Sequence, residues 1–375
     1  MSKKFKGFQT VLVLFFVFCI PILIQGETKV TVNTLKDIAA VEGKIKLSLI
    51  RVWGEDDTEN IDQAFYFPGD IKIDAMGNFY VLDSGHHRIQ IFDKATKLIR
   101  SIGKKGKGPG DVLAPASIAL TSQQNIVVAD SSNYRIQVID KMGNYIDSFR
   151  TGQTMPINFS LSPKDELLLY LPKKGEDCRW TLSFYDLKGN QKEEVAAFPC
   201  IEEIAYGELI SFLAGDRGDV FVSYLDIPVF QRFSREGKRI MTASYEAPLK
   251  TPSYQLAPGS GIAQIARKKD DMTYSVFCDF CVDRDGRVFL VAYNRPQQQN
   301  ERVYFVGTGG EMARMPKEFP EETDLFRLLV FSPSGKIIAA KNLPVYCDRI
   351  YVHNSRLFII DKMREMKIYE YNFQF

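Results

Sequence analysis

Six oxygen-bearing side chains stand at matching positions in the sequence, and together they could bind a cation or a polar ligand. Calcium takes 6 to 8 oxygen ligands from carboxylates, amides and similar groups. The three carboxylates, Asp70, Asp279 and Asp348, would be the metal ligands. The alternative is a ring of polar residues that only solvates the mouth of a channel, and the sequence leaves both interpretations open. The full set is Asp70, Ser117, Asn158, Ser211, Asp279 and Asp348.

Two pairs of opposite charge recur at the same spacing: Asp83 with Arg88, and Asp130 with Arg135. Such a pair could act in acid–base catalysis, but its identical repetition favours a structural ion pair that holds the loop between two strands. The chain has 3 histidines, and they fall in two places, which is too few for a zinc site built of histidines. These residues therefore indicate a scaffold rather than a catalytic centre.

The cysteines predict one disulfide bond. Cys178 and Cys200 each lie 11 residues from Gly189, the turn of a predicted hairpin, so they should face each other on antiparallel strands. Facing β-carbons of such strands are about 4.5–5.5 Å apart, close to the spacing that a disulfide needs. Cys278 and Cys347 occupy equivalent positions in two neighbouring units, which leaves a second bridge open.

The elements that position these residues follow from an internal repeat. Residues 67–93 and 114–140 match at a spacing of 47, with the same order of proline, apolar run, aspartate, Arg-Ile-Gln and aspartate. A period of 20 to 50 residues is the signature of a repeat architecture. Four weaker copies follow in the same frame, so six units are visible.

Each unit predicts four short strands separated by turn residues. The second strand of every unit is a continuous apolar run, which suits a strand buried on both faces between radially packed blades. The last unit stops after its third strand, and Leu49–Gly54 copies Leu98–Gly103, the fourth strand of the first unit. The predicted fold is all-β: a six-bladed β-propeller with four antiparallel strands per blade, closed by the N-terminal strand in the last blade.

The first two units also resemble a known family. The segments from Pro68 to Asp93 and from Pro115 to Asp140 look like NHL repeats, and the whole chain is similar to the exported six-bladed propellers common in bacteria. The resemblance is specific in these two blades and skeletal in the other four. It implies RNA or protein binding, sensing in a receptor kinase, an amidating lyase, or a calcium-dependent lactonase similar to gluconolactonase. Fold alone does not choose among them.

Residues 1–26 are expected to direct export, so that the protein is periplasmic or extracellular. Three lysines precede an apolar run from Val11 to Ile24, which fits a signal peptide and is short for a membrane span of about 20 residues. An uncleaved N-terminal anchor is the alternative, and it would be the chain's contact with a membrane. Residues 27–45 would then be a lead-in, and residues 46–375 a single propeller.

The charge argues against nucleic acid as a partner. The chain has 48 Lys and Arg against 46 Asp and Glu, a formal net charge of +2. Removal of residues 1–26 takes away three lysines and no acid, which leaves −1. Nucleic-acid binding demands a clustered positive field that a near-neutral chain lacks.

Two insertions depart from the repeat, at 244–275 before blade five and at 294–323 after its second strand. In a propeller both kinds of loop emerge on the face where the first strands begin, which we call the upper face. Both insertions carry residue types that are favoured at binding surfaces. These residues, with Tyr293 directly before the second insertion, are Tyr245, Tyr254, Tyr274, Tyr293, Tyr304, Arg295, Arg302 and Arg314.

Together these patterns predict a non-enzymatic binding or scaffold propeller, without a cofactor, that binds a protein, a peptide or a glycan on its upper face. The alternative is a calcium-dependent hydrolase of the lactonase kind at the central channel. It would be centred on Asp70, Asn158, Asp279 and Asp348.

Overall fold

The computed structural model describes most of the chain. The described residues are 30–54, 64–172, 179–199, 210–225, 227–249, 253–256, 263–266, 277–298, 301, 304–308, 311–315 and 322–375. The predicted export segment, residues 1–26, lies outside these ranges, and so do Cys178 and Cys200. Within them, no helix is long and apolar enough to cross a membrane.

Short strands account for nearly all of the regular structure. In chain order the elements are β1 (Val30–Asn33), α1 (Leu35–Ala40), β2 (Lys46–Trp53), β3 (Pro68–Ile73), β4 (Phe79–Asp83), β5 (Arg88–Phe92), β6 (Leu98–Ile102), β7 (Ser117–Leu120), β8 (Ile126–Asp130), β9 (Arg135–Ile139), β10 (Tyr145–Arg150), β11 (Ser160–Leu161), β12 (Leu167–Pro172), β13 (Arg179–Tyr185), β14 (Gln191–Pro199), β15 (Ile210–Ala214), β16 (Val220–Tyr224), β17 (Val229–Phe233), β18 (Arg239–Tyr245), β19 (Ser253–Leu256), β20 (Ala263–Ala266), β21 (Phe277–Val282), β22 (Val288–Tyr293), β23 (Tyr304–Thr308), β24 (Glu311–Met315), β25 (Phe326–Phe331), β26 (Ile337–Leu343), β27 (Arg349–His353), β28 (Arg356–Asp361) and β29 (Lys367–Gln374).

These strands form six antiparallel four-stranded blades, which confirms the predicted fold class. Blades one to four take β3–β6, β7–β10, β11–β14 and β15–β18 in sequence order. Blade five is β21-β22-β25-β26, and blade six is β27-β28-β29-β2. The pairs β19–β20 and β23–β24 are two-stranded hairpins within the two insertions.

A hydrophobic cluster fills each gap between neighbouring blades. Between blades six and one, Ile71 and Phe79 pack with Phe358, and the ring centroids of Phe79 and Phe358 are 6.1 Å apart. The second strands are buried most deeply; every residue of β8 is buried. The apolar runs of the sequence are therefore the strands that contact a neighbouring blade on each side.

Five of the described turns within blades have an aspartate at the end of the preceding strand that accepts from the backbone of the turn. Asp140 Oδ1 accepts hydrogen bonds from the backbone N–H groups of Met142 and Asn144, both at 2.8 Å. Gly143 supplies the left-handed conformation that this turn needs, with φ of 94°. The same pair of N–H bonds reaches Asp74, Asp93, Asp186 and Asp283. Each turn is thus set by its own residues.

The two ends of the propeller meet in blade six. Strand β2 pairs antiparallel with β29, from Lys46 opposite Gln374 to Trp53 opposite Ile368. Glu370 of β29 is buried between two arginines on the flanking strands: its carboxylate lies 2.9 Å from Arg51 Nε of β2 and 2.9 Å from Arg356 Nη1 of β28. The predicted ring closure is confirmed, and one carboxylate joins the N-terminal strand to the blade that it completes.

The N-terminal lead-in packs on the propeller, a feature that the repeat does not predict. Strand β1 runs parallel to β18 and adds a fifth strand to blade four. Asn33 at its end is buried; its amide donates to Ser244 O (2.9 Å) and Gly335 O (3.0 Å) and accepts from Ile337 N (2.8 Å). Ile38 of α1 enters the core between blades four and five. This segment therefore ties two blades together.

The register of blade three ends beside the two cysteines predicted to form a disulfide. Strands β13 and β14 pair from Tyr185 opposite Gln191 to Arg179 opposite Pro199. Cys178 and Cys200 are the next residues in sequence and lie outside the described ranges, so their bond stays a prediction. Three other cysteines, Cys278, Cys281 and Cys347, are free thiols, and the bridge between Cys278 and Cys347 that the sequence left open is absent.

Substitution Glu370→Gln should destabilise the closed ring. It removes the charge that both arginines face, and breaking a buried ion pair on one side costs about 3–5 kcal/mol. Since the arginines are partly exposed, we expect the free energy of unfolding in urea to fall by about 2–4 kcal/mol. The pair Lys104–Asp111, 3.8 Å apart with an exposed lysine, supplies the control: Lys104→Gln should change stability by less than about 0.5 kcal/mol. Equal effects of the two variants would contradict the assignment.

Peptide mapping under non-reducing conditions tests the bond between Cys178 and Cys200. Protein purified from an oxidising compartment should yield one linked peptide pair that contains these two residues, because the β13–β14 register ends at Arg179 and Pro199. Cys278, Cys281 and Cys347 should be alkylated after unfolding without reductant. Alkylation of Cys178 or Cys200 in the same sample would contradict the prediction.

Candidate functional site at the mouth of the channel

The first strands of the six blades surround a cavity of about 390 Å³ on the propeller axis, which we call the axial cavity. Its volume lies in the range of small-molecule pockets. The upper end of the axial cavity carries most of the polar residues that the sequence singled out. Five of the six line it: Asp70, Ser117, Asn158, Ser211 and Asp279.

The sixth predicted residue, Asp348, does not face the axial cavity, and this part of the prediction is wrong. In blade one, Asp70 pairs with Leu82, 12 positions later in the sequence. In blade six, Ile360 pairs with Arg349, only 11 positions earlier. The first hairpin of blade six is one residue shorter, so alignment by the second strand misplaces its first strand by one position. Arg349 therefore stands where the sequence predicted a carboxylate.

Asp348 instead holds a loop of its own blade. Its Oδ2 accepts from the N–H groups of Lys362 (2.9 Å) and Met363 (3.1 Å), and its Oδ1 lies 3.4 Å from Arg364 Nη1. These residues form the loop between β28 and β29 on the upper face. The third carboxylate of the predicted metal site is thus committed to loop structure.

Asp70 joins blades one and two. Its Oδ2 accepts from Ser117 Oγ at 3.0 Å and from Ile118 N at 3.1 Å, both on the neighbouring first strand. Its Oδ1 is 2.5 Å from Lys72 Nζ, and Arg349 Nη1 lies 3.4 Å from Oδ2. Burial acts to raise the pKa of Asp70, but the charges of Lys72 and Arg349 outweigh it and hold that pKa below its ordinary value.

Asp279 has the equivalent role between blades five and six. Its Oδ2 accepts from Ile350 N at 3.1 Å, and its Oδ1 accepts from Ser211 Oγ of blade four at 3.3 Å. Burial raises the pKa of Asp279 above its ordinary value although Arg349 opposes the shift. Since first strands have no partner strand on the axial side, these side chains bond to backbone N–H groups that would otherwise lack a protein acceptor.

Arg349 reaches across the mouth from blade six to three other blades. Its guanidinium donates to Gly69 O at 3.1 Å, and it approaches Ala116 O and Asn158 Oδ1 at 3.5 Å each. The mouth ring is therefore Asp70, Ser117, Asn158, Ser211, Asp279 and Arg349: a cation takes the place of one of the expected acids.

Two lysines near the mouth were also missed by sequence reasoning. Lys72 follows Asp70 by two positions on β3, so strand alternation alone would have placed it on the same face. Lys362 lies on the β28–β29 loop, where burial and the nearby Arg349 lower its pKa. The sequence signal that could have predicted Arg349 in the mouth ring is the short first hairpin of blade six, whose turn is Asn354 and Ser355.

The mouth ring lacks the convergence of acids that a metal site needs. In the part of the chain that the structure describes, no group of three or more His, Cys, Asp and Glu side chains is arranged to hold a metal ion. Two carboxylates remain at the mouth, and each bonds to the backbone of a neighbouring blade. With Arg349 beside them, these residues do not fit a calcium ion.

The repeated charge pairs form loop contacts away from the axial cavity. Asp83 Oδ2 accepts from Arg88 Nε at 2.8 Å, and its Oδ1 accepts from Tyr66 N at 2.8 Å. Asp130 accepts in the same way from Arg135 Nε and Leu113 N, both at 2.7 Å. Each pair joins the loop after a second strand to the connection from the previous blade.

Three of the eight residues predicted for the binding surface are described, and each packs on the scaffold or is paired; the binding surface itself stays a prediction. Tyr245 is 2% exposed, because β18 continues through it into the core. Tyr293 packs against Phe326, and Arg295 is paired with Glu301 at 2.7 Å. The side chains of the remaining predicted residues lie outside the description: Tyr254, Tyr274, Tyr304, Arg302 and Arg314.

Other connections place exposed apolar side chains on the upper face. Tyr66 lies just before β3 and is 43% exposed; Met155 and Ile157 lie just before β11 and are 42% and 45% exposed. They lead directly into two residues of the mouth ring, Asp70 and Asn158. The upper face thus combines a polar mouth with nearby apolar groups.

Fold and site together define a six-bladed β-propeller with a polar axial cavity. Residues 66–306 match the family DUF5128, described as a 6-bladed beta-propeller. The match covers more than half of the chain, and the chain belongs to this family. A comparison with curated proteins finds no match.

Several solved structures share the architecture. A DUF4221 member from Bacteroides vulgatus aligns with a TM-score of 0.54 at 14% identity, over 88% of this chain and 98% of the other. A gluconolactonase from Xanthomonas campestris aligns with a TM-score of 0.52 at 12% identity, over 90% and 92%. A virginiamycin B lyase from Staphylococcus aureus has a TM-score of 0.49 at 11% identity, over 88% and 99%. At such identities the likeness shows the fold alone.

A pH-dependent contribution to stability is expected from Asp361, at the end of β28 beside the mouth. Its carboxylate accepts from the N–H groups of Arg364 (2.9 Å) and Glu365 (2.8 Å). Burial, and then the negative charge of Asp348, raise the pKa of Asp361 to about 7. Between about pH 4 and pH 7 the folded protein holds a proton that the unfolded chain has released, so this contribution falls as the pH rises through that window.

Substitution Asp361→Asn should remove this dependence. The melting temperature of the variant relative to the wild type should rise between about pH 5 and pH 7 and then level off. The control is Asp140→Asn at an exposed turn, where hydrogen bonds from Asn144 lower the pKa of the aspartate, so its difference from the wild type should stay constant over the same range. A constant difference for Asp361→Asn would refute the assignment.

Proposed function

We propose that this chain is a non-enzymatic binding module, exported from the cytoplasm, that recognises a protein, a peptide or a glycan through its upper face and axial cavity. The observation that carries the proposal is the composition of the mouth ring. Arg349 lies among hydroxyl, amide and carboxylate groups, which suits recognition of a polar ligand. The exposed Tyr66, Met155 and Ile157 add apolar contact area on the same face.

The geometry favours binding over metal-dependent hydrolysis. A lactonase-like site would need Asp70, Asp279 and Asp348 to converge on a cation, whereas Asp348 bonds to the N–H groups of Lys362 and Met363. The similarity to gluconolactonase is one of fold, and it does not favour hydrolysis over binding for this chain.

We further propose that blades one and two are NHL-type repeats. The support is that their charge pairs, Asp83 with Arg88 and Asp130 with Arg135, make the same loop contacts. Both loops follow the second strand of their blade, on the upper face that we propose as the binding face. Nucleic acid is not expected as the partner, because the chain without residues 1–26 is nearly neutral.

A library screen with matched variants tests the upper-face proposal. Purified protein is applied to a glycan array and to a peptide library, and each hit is measured again by calorimetry. Ile157→Glu places a charge on the upper face and should weaken authentic hits about tenfold or more, as expected for loss of one apolar anchor. Ile240→Glu changes a similarly exposed isoleucine, 43% exposed, on the fourth strand of blade four, β18, and should leave the affinity for these hits unchanged.

The reverse pattern, with hits lost in Ile240→Glu and kept in Ile157→Glu, would exclude the upper face. Calcium supplies a separate check on the hydrolase alternative. We expect millimolar calcium to leave the melting temperature unchanged. A calcium-induced rise that Asp279→Ala abolishes would favour the metal-dependent enzyme instead.

A further inference from the structure

We infer that the mouth of the axial cavity binds a carboxylate that also carries hydroxyl groups, as a sugar acid does, and that Arg349 and Lys362 hold the carboxylate. The inference rests on the proposed function, because it names the ligand class of the same upper-face site. Four features support it: the free donors of Arg349, the charge balance at the mouth, the position of Lys362, and the polar side chains around the ring.

Arg349 keeps donor capacity toward the axial cavity. A guanidinium has five N–H donors in a planar fork that matches a carboxylate. Only the bond to Gly69 O, at 3.1 Å, is well within hydrogen-bond range; the approaches to Asp70, Ala116 and Asn158 are 3.4–3.5 Å. The side chain is 23% exposed. A ligand oxygen in the axial cavity could therefore gain stronger bonds than those that Arg349 makes within the protein.

The acids at the mouth leave this cation incompletely neutralised. Asp70 already has Lys72 Nζ at 2.5 Å, and Asp348 faces Arg364. Asp279 accepts from Ile350 N, and burial raises its pKa, so that it takes up a proton more readily than an exposed aspartate. The positive charge of Arg349 is thus available to an incoming anion.

Lys362 supplies a second cation on the β28–β29 loop, close enough to Asp70, Asp348 and Arg349 for their charges to act on its pKa. Its backbone N–H is fixed by Asp348 at 2.9 Å, yet no acceptor among the described residues lies within hydrogen-bond distance of its Nζ. The residue is half-buried; burial first and the charge of Arg349 second lower its pKa, and they outweigh the opposing charges of Asp348 and Asp70. Two neighbouring cations repel each other, and an anion between them would relieve both this repulsion and the burial of the lysine.

The rest of the ring selects among anions. Ser117, Asn158 and Ser211 line the same cavity. The two serine hydroxyls already donate to Asp70 and Asp279, so their oxygens can accept from ligand hydroxyls, and the Asn158 amide N–H groups can donate to them. A dianion such as phosphate would meet Asp70 and Asp279 at close range, which disfavours it relative to a single carboxylate. The volume of about 390 Å³ accommodates a monosaccharide acid.

Isothermal titration calorimetry with D-glucuronate as the probe tests this inference. Wild-type protein should bind glucuronate saturably and should not bind glucose, which has the hydroxyls but lacks the carboxylate. Arg349→Gln should weaken binding about tenfold or more, and Lys362→Gln about fivefold, because each removes a charge-assisted contact. Arg235→Gln is the matched control: this arginine pairs with Glu166 and Glu193 on the opposite face, and its loss should leave binding unchanged.

Three outcomes would overturn the inference: no saturable glucuronate binding, wild-type affinity in both mouth variants, or tighter binding of inorganic phosphate than of glucuronate. If Arg349→Gln does not melt cooperatively, Lys362→Gln decides the question, since the Lys362 side chain makes no hydrogen bond that the fold requires. Ile157→Glu separates this inference from the proposed function. Glucuronate binding that survives in Ile157→Glu while library hits are lost would support both, whereas library hits without glucuronate binding would refute the carboxylate site alone.

Discussion

Closure of the ring is the constraint on which the other features depend. Blade six is assembled from both ends of the propeller, with Glu370 of β29 buried between Arg51 of β2 and Arg356 of β28. Pairing of β2 with β29 covers the edge that each of these strands would otherwise expose, and the six blades are left with only short edges. It also brings the first strand of blade six next to that of blade one, so that Arg349 can donate to Gly69 O. Without closure the mouth ring would not form.

The two aspartates of the mouth ring connect neighbouring blades. An innermost strand has an unpaired edge toward the axis, and its backbone groups need partners. Asp70 and Asp279 accept from Ile118 N and Ile350 N of the following blade. The carboxylates of the first strands are therefore explained by their hydrogen bonds to the next blade. The charged group that remains available to a ligand is the guanidinium of Arg349.

The parts of the fold that could be predicted follow from local rules. Apolar runs recur in each unit and turn aspartates in four of the six, and both act within one blade, as the Asp140 turn illustrates. The wrong predictions were those that deduced the position of a side chain in the fold from its position in the aligned repeats. The first hairpin of blade six is one residue shorter than expected, so Arg349 and not Asp348 faces the axis. Strand β18 extends to Tyr245, so this side chain is buried in the core and not exposed on the surface. The packing of α1 between blades four and five had no counterpart in the repeat.

By itself, the sequence determined the number of blades, the four strands in each and the closure by an N-terminal strand, because hydrophobic periodicity and turn chemistry are properties of neighbouring residues. Only the tertiary structure decided which side chains meet at the mouth and what charge they leave there. That outcome depends on six first strands brought together from distant parts of the chain, and on the one-residue register that turns Asp348 toward its own loop and Arg349 toward the axis.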